Sequence, residues 1–367
     1  MARKSQEIKE FYYGDVKQTT AAKEVLYKKL INSIFLVAIL YFVVCGAIYI
    51  IEDNKYQLYF TDNGYEYSTT IIDPIPVESG TSIVYDSTYI NPDVTSESDA
   101  INLIIEDSES QKKKCSNSKV AEIETRIQNN YDIVAVNLCE LEYNLALEIE
   151  KVLGTIYKEF PNVSGYMSNL TLMNASSSSS PLASFKYGFL FSTANKSKKY
   201  PWVVKNMIVL NSSYYLNQDD LDLALKNAER NNYFPKNVTS YSIVAHEFGH
   251  YLSFVAINKY YKTSEKFYIQ KMNYSNYYNT IKAYNEGYLA KIIINEAYSN
   301  YAKKNPGDYN SIDDFRSSIS DYAMAMNAKG EYIYDETIAE AFHDYYLNGN
   351  DAAGASIEIV KVLKKYL

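Results

Sequence analysis

Histidine is scarce in this chain: only His246, His250 and His343 occur in 367 residues. Any metal site must therefore use very few imidazoles and find further ligands elsewhere. Cysteine is as rare, with Cys45, Cys115 and Cys139 alone and no Cys-x-x-Cys pair, which argues against a thiolate-held zinc or redox centre. Cys45 lies in the most apolar stretch and reads as an inert apolar residue. Cys115 and Cys139 can pair if their region lies outside a reducing compartment. No glycine-rich phosphate loop is present, and a net charge of −8 argues against a nucleic-acid partner, which needs a basic face. Lysine and arginine vanish between Glu78 and Gln111, where eight acidic residues fall. Charge of one sign at low apolar content predicts a solvated stalk or irregular spacer, with a loop-rich extension packed on the main domain as the alternative.

What is present is ordinary for a folded protein, with 47% apolar and 22% charged residues. The length allows one sizeable domain with accessory segments. The run "LINSIFLVAILYFVVCGAIYII", Leu30 to Ile51, carries no charge and matches the roughly 20 apolar residues that cross a bilayer as a helix. It is longer than a signal-peptide core and lacks a small-x-small cleavage site after it. Arg3, Lys4, Lys9, Lys17, Lys23, Lys28 and Lys29 precede it, and Glu52 and Asp53 follow. That asymmetry places the N-terminus in the cytoplasm and the C-terminal part outside. The expected organisation is a cytoplasmic tail over 1–29 and a single-pass anchor over 30–51. A β-hairpin and acidic spacer over 52–119 then lead to a folded domain over 120–367.

Within that frame, Tyr56 to Ile72 alternates around Asp62-Asn63-Gly64 and predicts a hairpin. Cys139 to Phe160 predicts a helix, with Leu141, Leu145, Ile149 and Leu153 on one face. Three strands follow, in Gly165 to Asn174, "SFKYGFLFS" and "VVKNMIVLNSSYY". The remainder reads as helices over Asp219 to Asn231, Tyr278 to Lys304 in one piece, Ile312 to Ser320, Tyr334 to Leu347 and Ala355 to Tyr366. Strands first and helices afterwards is an α+β pattern.

The stretch "SIVAHEFGHYL" contains His-Glu-x-x-His at His246, Glu247 and His250. Residues four apart share a helix face, so the two imidazoles can converge on one zinc ion. Glu247 sits one step round, where a carboxylate can reach a metal-activated water without ligating. Val244, Phe248, Leu252 and Val255 give the helix an apolar back, Thr239 and Ser240 offer N-cap oxygens, and Gly249 allows a neighbouring backbone to come close. A third ligand must follow. Ser253 and Ala256 stand where the metzincin extension has glycine and histidine, which excludes that subclass. The candidates are acidic residues on a later helix, or His343. Among acidic residues, "YDETIAEAFHDYY" offers Glu336 and Glu340 on one face, while Glu286 and Glu296 are alternatives with less fitting flanks.

"HEFGH", then "ISDYA" (Ile319 to Ala323), then "ETIAEAF" (Glu336 to Phe342) resembles the catalytic domain of anthrax-lethal-factor-type zinc peptidases and their phage- or mobile-element-encoded relatives. The resemblance takes in "NMIVLNSSYY" and spans about Gly165 to the C-terminus, leaving out the anchor and spacer. It implies a gluzincin-like, zincin-type domain with Zn2+ held by His246, His250 and Glu336. It also implies Glu340 supporting a ligating histidine, Glu247 as general base, and Tyr322 holding the oxyanion. Fourteen residues separate Tyr322 from Glu336, with "NAKGEYIYD" inserted, so Tyr332 or Tyr334 is an alternative to Tyr322. The function implied is a membrane-anchored metalloendopeptidase on a bacterial cell surface, acting on peptide or protein substrates. The competing expectation is a decayed surface binding or assembly protein with a structural zinc, against which the intact Glu247 speaks. The strand Met207 to Leu210 is the expected edge for a substrate peptide.

Overall fold

The computed structural model describes residues 51–53, 56–62, 96–111, 115–173, 181–191, 201–269, 274–327 and 329–367. In chain order these hold β1 (Ile51–Asp53), β2 (Tyr56–Asp62), α1 (Glu97–Gln111), α2 (Ser118–Tyr131), β3 (Ala135–Asn137) and α3 (Tyr143–Glu159). Next come β4 (Asn169–Met173), β5 (Ala183–Phe191), β6 (Pro201–Asn211), the single turn α4 (Ser212–Tyr215) and α5 (Gln218–Arg230). The C-terminal part is helical: α6 (Ile243–Tyr261), α7 (Tyr274–Asn285), α8 (Tyr288–Lys304), α9 (Ile312–Ser317), α10 (Tyr334–Asn348) and α11 (Gly354–Leu363). The α+β expectation holds. Residues 1–29 and the apolar run up to Ile50 lie outside the described residues. Among the described residues no helix is long and apolar enough to cross a membrane.

The described strands form one sheet in the order β1-β2-β5-β6-β4-β3, antiparallel from β1 to β6 and parallel across β6, β4 and β3. β6 lies inside it, pairing Met207 with Lys186 on one side and with Asn169 on the other. The expectation of Met207 to Leu210 as a substrate edge is therefore corrected: both of its sides already carry strands. Its near-continuous apolar sequence is that of a strand buried on both faces. Val204, Ile208 and Leu210 enter the main core, whereas Val203, Met207 and Val209 point the opposite way. β2 forms as expected but pairs with β1 and β5, and the second half of the expected hairpin lies outside the described residues.

That second face is covered by α1. Ala100, Leu103 and Ile104, spaced for one helix stripe, pack with Val203, Met207, Val209 and Phe267. The end of the stretch expected as solvated spacer is therefore a helix docked on the sheet. Its acidic residues hid a short apolar stripe. Cys115 and Cys139 are joined as a disulfide with their Cα atoms 5.3 Å apart, tying the chain before α2 to the loop after β3. The expected single helix over Tyr278 to Lys304 is two, α7 and α8. Gly287, at φ +63°, stands between them in a conformation that costs a glycine little.

The helix α6 is the centre of the core: every residue from Ile243 to Asn258 is buried. Apolar residues on all sides are what such a position requires. α10 lies along it so closely that a Cβ on Gly249 would meet Ala339 Cα at 2.6 Å, and Phe342 Cβ at 3.2 Å. Phe248 meets Tyr157 and Tyr251 edge-on nearby. Gly249→Ala must push the two helices apart, so it should lower unfolding stability by about 1–3 kcal/mol, the usual cost of overpacking. Thermal or urea unfolding of the variant beside wild type measures it.

Candidate metal centre

The start of α6 is fixed by a reciprocal turn. Thr239 N–H donates to Ser242 Oγ at 2.9 Å, and Ser242 N–H donates to Thr239 Oγ1 at 3.2 Å. The N-cap is Ser242, with no side-chain cap hydrogen bond, so the expectation of Thr239 and Ser240 as caps is corrected: Thr239 stands one turn outside the helix. The first turns present His246 and His250 toward α10. α10 answers with Asp335, Glu336 and Glu340, all buried.

His246 Nε2 lies 3.5 Å and His250 Nε2 3.4 Å from the same atom, Glu336 Oε2. The three side chains offer ligand atoms within 4.8 Å of one another, all buried. Bonds of about 2.0–2.2 Å at tetrahedral angles separate ligand atoms by roughly 3.3–3.6 Å, so the spacing fits one four-coordinate ion. Glu336 Oε2 is also a buried carboxylate oxygen with no hydrogen-bond partner, a costly state unless a cation satisfies it. The buried group of His246, His250 and Glu336 is suited to bind a metal ion.

Each histidine is oriented from behind. His246 Nδ1 donates to Glu340 Oε1 at 2.7 Å, and Glu340 Oε2 accepts from Ser320 Oγ at 2.6 Å. Glu340 therefore supports a histidine as expected. The counterpart for His250 is Asp335, whose Oδ2 accepts from His250 Nδ1 at 2.6 Å. Sequence reasoning missed Asp335. The signal available was its place beside Glu336 at the head of the same helix. With Nδ1–H committed to a carboxylate, each ring turns Nε2 toward Glu336.

Charge follows from this packing. Burial alone would lower the pKa of His246, but the neighbouring Glu336 and Glu340 carboxylates outweigh it and raise the value to about 10. Burial likewise opposes protonation of His250, and the charges of Glu336 and Asp335 overcome it, raising its pKa well above the ordinary range. Burial would raise Glu336, yet the two histidines hold it well below the usual carboxylate range. Glu247 is different: burial raises its pKa, with His246 and His250 offsetting only part. Its Oε2 accepts from Phe185 N–H of β5 at 2.5 Å. The Glu247 carboxylate is thus held between α6 and the sheet.

Of the three candidate tyrosines, Tyr322 lies beside a ligand histidine. Its ring stacks on His246 with centroids 5.7 Å apart and planes at 26°, and packs against Tyr233 and Phe234. Tyr332 and Tyr334 are committed elsewhere: the fully buried Arg316 guanidinium lies 4.3 and 4.6 Å from their ring centroids. The same guanidinium donates to Thr337 Oγ1 at 3.0 Å and to Ala323 O at 3.2 Å, pinning the turn that carries Tyr322 against α10. His343 is buried with its Nε2 at 3.0 Å from Ser242 Oγ. Glu286 is exposed beside Lys282, and Glu296 pairs with Lys365, so neither approaches the histidines.

No family model matches the chain, and comparison with curated proteins and with solved structures finds no match. The site therefore rests on its own geometry. The chain should retain one equivalent of a divalent transition metal after gel filtration, and His250→Ala or Glu336→Gln should lose it. Elemental analysis of the purified proteins against protein concentration checks this; equal metal content in wild type and both variants would refute the ligand set.

Proposed function

We propose that this chain is a zinc-dependent endopeptidase with a zincin-type catalytic domain, as its likeness to anthrax-lethal-factor-type peptidases implies. The observation that carries the reading is Glu247. A buried carboxylate one residue from a ligand histidine, with its pKa raised, is superfluous in a structural site and suited to a general base. Two imidazoles and a carboxylate favour zinc. When bound, zinc supplies Lewis acidity, which acidifies a water toward neutral pH and polarises a carbonyl.

The remaining steps belong to the protein. Glu247 takes the proton of the attacking water and delivers it to the leaving amine as the peptide bond breaks. Phe185 N–H keeps the Glu247 carboxylate at the sheet, where it faces the proton it is to take. Tyr322, stacked on His246, donates to the oxyanion of the tetrahedral intermediate. The apolar run from Leu30 to Ile50, ahead of β1, would anchor the domain in a cell membrane. The Cys115–Cys139 disulfide favours its placement on the outer, oxidising side.

Glu247→Gln should leave zinc content unchanged and abolish cleavage of a mixed peptide pool, read by mass spectrometry. Turnover persisting in that variant would sink the mechanism, whereas zinc without turnover in the wild type would favour a surface-binding role. Tyr322→Phe should lower kcat by roughly 100-fold, in the range for an oxyanion donor, with KM little changed. A loss confined to KM would assign Tyr322 to substrate binding.

A further inference from the structure

His250 is held by a pair of side chains that no motif announces. The carboxylate oxygen of Asp335 that accepts from its Nδ1 at 2.6 Å also accepts from the Tyr284 hydroxyl at 2.9 Å. His250, Asp335 and Tyr284 are all buried. Asp335 heads α10 directly before Glu336, whereas Tyr284 stands in the last turn of α7. Its ring is fixed edge-on against Tyr187 at 5.6 Å and Phe254 at 5.3 Å. Asn285, the next residue, accepts from the Tyr187 hydroxyl. A ring so wedged has one direction in which to present its hydroxyl.

Asp335 Oδ1, by contrast, is buried without a hydrogen-bond partner. The two carboxylate oxygens are therefore unequal: one receives two donors, the other none. Without the Tyr284 hydroxyl only His250 would distinguish them, and the carboxylate could turn about its last torsion, which is a broad one. His250 would then lose its fixed direction. We propose that Tyr284 is a positioning residue of the metal centre, its hydroxyl fixing the Asp335 carboxylate and thereby aiming His250 Nε2 at the point it shares with His246 and Glu336. The inference rests on the metal reading of the triad and not on peptide hydrolysis. It makes α7 part of the centre, although α7 contributes no ligand.

Metal affinity measures it directly. Zinc would be titrated into the metal-free full-length chain against a chromophoric chelator, for wild type, Asp335→Asn, Tyr284→Phe and the double variant. Asp335→Asn should weaken zinc binding by roughly 10–100-fold, as loss of such an outer partner does. Tyr284→Phe should weaken it by roughly tenfold, the worth of one hydrogen bond to a charged group. The double variant should be no weaker than Asp335→Asn alone, because Tyr284 acts through that carboxylate. Phenylalanine preserves the ring against Tyr187 and Phe254, so the metal-free variant should stay folded, with the circular dichroism of wild type and only a modestly lower melting temperature for the lost hydrogen bond. Wild-type affinity in Tyr284→Phe would overturn the inference. So would an equal loss from Tyr284→Phe in both backgrounds, which would make the effect one of packing. A wild-type chain that takes up no zinc would overturn the metal reading and this inference together. Turnover is not the readout, so failure of the peptidase reading alone is seen separately.

Discussion

The close contact of α6 with α10 is the constraint on which the rest depends. Gly249 lets the helices approach until no Cβ fits between it and the Ala339 backbone. That approach brings one carboxylate oxygen of Glu336 within 3.5 Å of both histidine Nε2 atoms. It also gathers Glu247, Asp335, Glu336 and Glu340 into one buried volume. Such a concentration of carboxylates would repel itself apart without compensating positive charge. A cation bound between them would supply it. The apolar packing of Phe248 against Tyr157 and Tyr251 and of Phe342 against Phe160 keeps the helices at this distance. Hydrophobic burial thus bears the cost of an electrostatically unfavourable arrangement.

The two histidines are secured by different parts of the fold. Behind His246, Glu340 is joined to Ser320, whose hydroxyl also accepts from Ala323 N–H at 3.1 Å in the turn bearing Tyr322. Behind His250, Asp335 leads to α7 and from there to β5 through Tyr187. Glu247 reaches β5 directly through Phe185. The groups that would handle a carbonyl and a proton therefore meet at the ligands by short buried contacts. A shift of α10 along α6 would disturb all of them at once, because one helix supplies a ligand and both supports.

What the sequence revealed about this site follows from how local each feature is. His246, Glu247 and His250 are legible because four residues on one helix fix their relation, whatever surrounds them. Glu336 and Glu340 are legible as one helix face for the same reason, whereas their division into ligand and support came from the resemblance. Tyr322 became distinguishable from Tyr332 and Tyr334 only in three dimensions, because Arg316, sixteen or more residues before the latter two, occupies both of their rings. Asp335 and Tyr284 escaped notice because their value lies in a contact between α7 and α10, which no periodicity encodes. The break at Gly287 was hidden by flanking segments that each read as helix, and the docked α1 by its acidic residues.

The same reasoning explains why β6 was mistaken for an edge. A strand's own residues report burial through composition, and β6 is apolar apart from Lys205, Asn206 and Asn211. That pattern belongs to strands covered on both faces and paired on both sides, so it argued against an edge from the start. β5 alternates more, and its Phe185 N–H turns to Glu247. The pairing of β2 with β5 ends at Lys186, and the amide of Phe185 just before it goes to the Glu247 carboxylate. From Lys186 to Phe191 β5 is flanked by β2 and β6, so it is no more an open edge than β6, and what it gives the site is the one amide that orients the base.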